Sequence, residues 1–247
     1  MHPLIVIPAR MASTRLPDKP LADIGGAPMI VRVWQRAVAA NIAPVIVACD
    51  GQAIANAITS AGGIAMLTDP DLPSGSDRVW QAAKQYDTQK EHDIIINLQG
   101  DLPTFDPKLL HTLMMPMADE AVDIATLAAP ITRAQERNAP SVVKPVLAMD
   151  ESGLRARALY FSRASVPYGE GMLYHHIGVY AYKRKALETF ISLPPSPLEL
   201  REKLEQLRAI EHGLRMECMI VNTVPLGVDT MEDLARARSF YEQSQFK

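Results

Sequence analysis

The chain has 247 residues, 48% hydrophobic and 21% charged, a composition suited to a folded domain and not to a disordered or fibrous chain. Lys plus Arg total 25 against 28 Asp plus Glu, a net charge of −3. That excludes a broad nucleic-acid coat, which needs a basic surface, but leaves room for one local anion site. Cys49 and Cys218 lie far apart inside apolar runs and form no CxxC, so the sequence argues against a disulfide framework or zinc site and for a reducing compartment.

Residues 4–7 are the first apolar run, too short for an export signal, and no run approaches a membrane span. The expectation is a cytoplasmic protein with no membrane partner. Residues 4–7, 45–48, 64–67 and 93–98 read as buried strands. Between them 29–40, 52–60 and 77–86 read as helices, with Pro28 near the first turn of one and Gly62-Gly63 ending another. This β-α-β-α rhythm with fully apolar strands predicts a parallel sheet covered on both faces. The second half is mixed: a helix over 107–117, strands over 123–129, 142–148, 156–161 and 177–182, one helix over 199–212 and a strand over 216–221. A last helix over 231–245 is expected to be capped by Asp229 or Thr230. Pro194-Pro195-Ser196-Pro197 reads as a stiff turn, with no composition break to mark a domain boundary.

In open α/β sheets, ligands bind beyond the carboxyl ends of the strands. The loop after the first strand carries Arg10, Arg15 and Lys19 against one anion, Asp18, with Ser13 and Thr14 between. Three cations and small polar residues at that edge suit a polyphosphate. Neither GxGxxG nor GxxxxGK[ST] is present, so cationic side chains must do what a glycine-rich backbone does elsewhere. Asp101 follows a glycine turn after the fourth strand, and Asp229 follows the last strand. Both can project into one crevice, and paired carboxylates beside a triphosphate suit magnesium. Taken alone, Asp229 also reads as a helix cap, Asp101 as a turn aspartate, and His176 and Tyr180 as core residues. Beside the cationic loop, the metal reading of the two aspartates is favoured.

Seven segments resemble, in order, the 3-deoxy-manno-octulosonate (Kdo) cytidylyltransferase family. They are Ile7-Pro8-Ala9-Arg10 through Leu21, Ser74-Gly75-Ser76-Asp77-Arg78, Gln99-Gly100-Asp101, Ala158-Leu159-Tyr160-Phe161-Ser162-Arg163, His176-Ile177-Gly178-Val179-Tyr180, Leu204-Glu205-Gln206-Leu207-Arg208 and Val228-Asp229-Thr230. The resemblance implies an α/β nucleotide-diphospho-sugar transferase fold, a Rossmann-like mixed sheet with helices on both faces. It implies a single domain over 1–247, with sugar-binding and dimerisation elaborations in roughly 130–215. The implied reaction joins CTP and Kdo into CMP-Kdo and pyrophosphate with Mg²⁺, for lipopolysaccharide biosynthesis, in a homodimer.

By the same resemblance, Arg10, Ser13, Arg15, Lys19, Ser74, Gly75 and Ser76 hold CTP. Arg78, Gln99, His176, Tyr180, Glu205 and Gln206 hold the sugar. Asp101 and Asp229 hold the metal, and Lys19, Arg15, Asp101 and Asp229 form the catalytic set. Asp18 and Leu102 depart from the family pattern, and the 167–174 stretch is short, so an amino variant of Kdo stays open as the sugar. Cytidylyltransferases for sialic acid or methylerythritol phosphate, and a non-catalytic regulator on the same fold, are the competing readings.

Overall fold

The structure is a computed structural model and describes residues 1–12 and 16–244. The chain forms two compact units, residues 1–111 with 225–247, and residues 112–224. Of the expected site residues, Ser13 and Arg15 lie outside the described residues, as does Gln245 at the end of the last predicted helix.

The first unit opens with β1 (Pro3–Ala9), a 3-10 turn over Lys19–Leu21 and the short pair β2 (Asp23–Ile24) and β3 (Ala27–Pro28). α1 (Met29–Ala39), β4 (Val45–Cys49), α2 (Gln52–Ser60), β5 (Ile64–Leu67), α3 (Gly75–Tyr86) and β6 (Ile94–Asn97) follow. The strands run parallel in the order β5-β4-β1-β6. Leu4 to Ile7, Ile46 to Cys49 and Ile95 to Ile96 are fully buried, which explains their unbroken apolar runs. β5 departs from the expectation of full cover. It pairs only with β4, and Ile64 and Leu67 are 45% and 50% exposed. An edge strand has one neighbour, which leaves these side chains partly in solvent.

α4 (Lys108–Met114) leads into the second unit, which holds β7 (Ile124–Pro130), α5 (Ala134–Arg137), β8 (Lys144–Met149), β9 (Arg155–Ser162) and β10 (Tyr174–Lys183). α6 (Arg184–Ser192), α7 (Pro197–Glu202), α8 (Gln206–Glu211) and β11 (Met216–Ile220) complete it. Strand order here is β10-β7-β11-β9-β8, with β7 and β11 parallel and the remaining pairs antiparallel. The fold is mixed α/β, as the alternating pattern implied.

The helices differ from the sequence reading at several points, α5 among them, which forms where that reading places no element. Residues 184–192, read without an element, form α6, which buries Ala186, Leu187 and Phe190. The single helix expected over 199–212 is two, broken at Lys203, whose φ of 55° is left-handed. The chain then returns to the first unit with α9 (Met231–Ser244).

Candidate active site

The ends of β1 and β6, the start of α3 and the segment before α9 surround a cleft of about 750 Å³ within the first unit. Arg10, Lys19, Ser74, Gly75, Arg78, Gln99, Asp101 and Asp229 line it. Apolar packing sets the frame. Leu16, Met29, Val228 and Leu234 share one buried cluster, which anchors the chain on the approach to Lys19 and the chain on the approach to Asp229. The Val228 N–H donates to the Asp101 carbonyl at 3.0 Å, drawing together residues 127 positions apart.

At the centre, Lys19 Nζ donates to Asp101 Oδ2 at 2.8 Å and to Asp229 Oδ1 at 3.0 Å. Such charge-assisted bonds are about twice as strong as neutral ones. Burial disfavours the Lys19 charge, but Asp101 and Asp229 outweigh it, so its pKa stands above the ordinary lysine value.

Thr230, not Asp229, caps α9. Thr230 Oγ1 accepts from the Asp233 N–H at 3.2 Å, and the Asp233 carboxylate accepts from the Thr230 N–H at 3.1 Å. This reciprocal pairing is a capping box, and it leaves the Asp229 carboxylate to meet Lys19. Gly100 permits the tight turn before Asp101, because a Cβ there would stand 2.6 Å from the Pro8 carbonyl oxygen. Leu102 is buried, its methyl facing Gly227, so this departure from the family pattern fills apolar space. Asp18 sits in the left-handed region at φ 52°, a conformation that aspartate tolerates better than most residues.

Other expected residues take less direct places. Ser74 caps α3 through the Asp77 N–H. Ser76 is buried in the first turn and does not line the cleft. Arg78 lines the cleft, yet its guanidinium donates to Thr68 Oγ1 at 2.5 Å and to the Asp69 carbonyl at 3.2 Å. Gln99 donates to Asn97 Oδ1 at 3.0 Å. Asp50 was not singled out from sequence. Its carboxylate accepts from the Met11 N–H at 3.0 Å and so fixes the start of the cationic loop. Its place just after β4, at the same carboxyl edge, was the available signal.

His176, Tyr180, Glu205 and Gln206 belong to the second unit. His176 is buried on β10, its ring edge-on to Phe161 at 4.7 Å and 5.6 Å from Tyr180. The Thr126 hydroxyl lies 3.0 Å from His176 Nε2 and donates to the Val179 carbonyl at 2.9 Å, which makes Nε2–H the donor to Thr126. Burial, with His175 nearby, pushes the His176 pKa down to about 3. Burial and the Glu205 carboxylate raise the Tyr180 phenol above its usual value. Glu205 stands at the cap position before α8 and Gln206 begins that helix, so the two are not both within a continuous helix as expected.

Residues 4–217 match the cytidylyltransferase family model. The chain is 60% identical to 3-deoxy-manno-octulosonate cytidylyltransferase of Parvibaculum lavamentivorans, with 96% of this chain and 92% of that protein covered. It is 59% identical to the enzyme of the same name from Rhodospirillum rubrum, covering 96% and 94%. The chain belongs to the 3-deoxy-manno-octulosonate cytidylyltransferase family. A solved CMP:2-keto-3-deoxy-manno-octonic acid synthetase complexed with CTP superposes with a TM-score of 0.89 at 39% identity, covering 99% of this chain and 100% of that one. A 4-diphosphocytidyl-2C-methyl-D-erythritol synthase from Anaerococcus prevotii, at 10% identity and a TM-score of 0.64 with 98% of each chain covered, shares the fold alone.

Proposed function

We propose that the chain joins CTP to Kdo, releasing pyrophosphate and forming CMP-Kdo. The observation that carries this reading is the convergence of Lys19, Asp101 and Asp229 in one cleft that Arg10 also lines, in a chain of this family. The anomeric hydroxyl of Kdo attacks the α-phosphorus of CTP. The new oxygen–phosphorus bond forms as the bond to the pyrophosphate oxygen breaks, and the hydroxyl proton passes to solvent or departing phosphate. Little covalent chemistry falls to the protein, whose work is positioning and charge neutralisation.

The donor set fits Mg²⁺. Two carboxylates already approach one cation, the Lys19 ammonium, and hard oxygen ligands suit Mg²⁺, with water and phosphate completing its coordination. Among the described residues, no cluster of three or more His, Cys, Asp or Glu could hold a metal, so no all-protein cage competes with that arrangement. Asp101 and Asp229 would hold the ion. When bound, Mg²⁺ neutralises phosphate charge and lowers the pKa of the attacking hydroxyl. Lys19, together with Arg10 and Arg15, stabilises the charge that grows on the leaving pyrophosphate. The Ser74-Gly75 start of α3 offers backbone donors to the nucleotide. Arg78, Gln99, His176, Tyr180, Glu205 and Gln206 are assigned to the sugar by their match to family segments.

The product would feed lipopolysaccharide biosynthesis in the cytoplasm, and the working form would be a homodimer. Among the described residues, no helix is long and apolar enough to cross a membrane. Pyrophosphate release separates the readings. It is expected with CTP plus Kdo and not with CTP alone or with CTP plus sialic acid. Equal release with sialic acid, or none with Kdo, overturns the assignment. An amino-Kdo arm decides the finer identity of the sugar.

A further inference from the structure

The Ser162-Arg163 segment matches the family pattern but has no place in the reaction above. The break between α7 and α8 gives it one. In a continuous α-helix, the carbonyls of Glu202 and Lys203 would accept from the N–H groups of residues 206 and 207. Here Arg163 takes both. Its Nε donates to the Glu202 carbonyl at 3.0 Å and its Nη2 to the Lys203 carbonyl at 3.3 Å. Its Nη1 holds the Pro140 carbonyl at 3.0 Å. The Leu207 N–H turns instead to the Leu204 carbonyl at 3.1 Å.

The clamp is reciprocal. The Glu202 carboxylate accepts from Ser162 Oγ at 2.7 Å and from the Arg163 N–H at 3.0 Å. These donors hold the Glu202 carboxyl below its usual pKa despite partial burial. Lys203 must enter the left-handed region, which strains a non-glycine residue and persists only where surroundings impose it. The break is what puts Glu205 at the head of α8 and Gln206 in its first turn.

We infer that Arg163 and Glu202 are positioning residues for sugar recognition: together they break the α7–α8 helix and present Glu205 and Gln206. This rests on the Kdo reading of those two residues. Neither Arg163 nor Glu202 need touch the sugar itself.

The test is steady-state kinetics of Arg163→Lys and Glu202→Gln, with melting temperature recorded alongside. Lysine keeps the charge but cannot fork onto two carbonyls. Glutamine keeps the shape, but its amide cannot accept as a carboxylate does at both oxygens. The expected result is a KM for Kdo raised about tenfold or more, with the KM for CTP unchanged, since small misplacements of contact groups cost that much. Both KM values unchanged, with only a lower melting temperature, makes the clamp merely structural and overturns the inference. So does a parallel rise in both. Should Arg163→Lys fail to fold, Glu202→Gln decides by the same split. If wild type releases no pyrophosphate with Kdo, the functional reading fails first, and independently of the clamp.

Discussion

In the first unit, β1, β4 and β6 contain no charged residue, and their chemistry begins where the strands stop, at Arg10, Asp50, Gln99 and Asp101. In the second, every strand buries a polar group: Thr126 on β7, Lys144 on β8, Ser162 on β9, His176 on β10 and Glu217 on β11. Each of these groups has a partner. Lys144 Nζ reaches the Ala139 and Arg163 carbonyls, and Glu217 meets Arg155 and Arg215. Parallel strands walled in by helices exclude charged side chains and leave ligand groups to the rim, although the last position of β6 holds a buried polar residue, Asn97. A largely antiparallel sheet accepts polar side chains along its length, provided each one is hydrogen-bonded. The first unit thus carries its expected reactive groups on loops, whereas the second carries His176 and Tyr180 on a strand and Glu205 and Gln206 at the head of α8.

The largest effect that contrast predicts is at the rim. Asp101→Ala should lower turnover on the order of 10³-fold or more, by analogy with loss of a transition-state electrostatic contact. Pyrophosphate release at saturating Mg²⁺ measures it, and near-normal turnover would remove Asp101 from the reaction. A strand residue should behave differently. Burial lowers the His176 pKa from the ordinary imidazole 6.5 to about 3, so between those values the unfolded chain binds the proton first. Its contribution to stability is therefore full above 6.5 and is lost as pH falls toward 3. His175, also depressed by burial, adds in the same direction. Melting temperature should fall less steeply over this range in His176→Gln, and an identical slope would contradict the buried neutral imidazole. The smallest effect is at the α9 cap. Thr230→Ala should cost about 1 kcal/mol, a melting shift of about 2–4 °C, with pyrophosphate release retained. A collapse of turnover there would mean that capping and the placement of Asp229 are one function.

Much of the first unit is legible in sequence because its signals are local. The apolar runs of β1, β4 and β6 end at Pro, Asp or Gln-Gly, and Asp101 stands where β6 stops, whereas Asp229 lies nine residues past β11 and is drawn to Asp101 by the Val228 N–H bond to the Asp101 carbonyl. The break at Lys203 is not legible. Its cause, Arg163, lies 40 residues upstream, and nothing within 199–212 forbids a continuous helix. Arg78 shows the same limit. Its place at the start of α3 suggests a ligand, whereas its guanidinium is engaged by the 68–70 turn, a contact no periodicity reveals. Exposure of Ile64 and Leu67 follows from the order of the strands, which composition does not encode. Thr230 is one of the two caps the sequence offers for α9, its reciprocal bonding with Asp233 is not legible there, and only hydrogen-bond geometry separates Thr230 from Asp229.

The Lys19 bridge also bears on how the free protein tolerates its own cleft. Asp101 and Asp229 reach one ammonium, within 2.8 and 3.0 Å. Without an intervening cation, like charges converging on a point would push the two chain segments apart. The lysine is an internal counter-ion that lets folding complete the carboxylate geometry before any ligand arrives. A ligand entering this cleft would then meet two carboxylates already in register, and binding need not organise them.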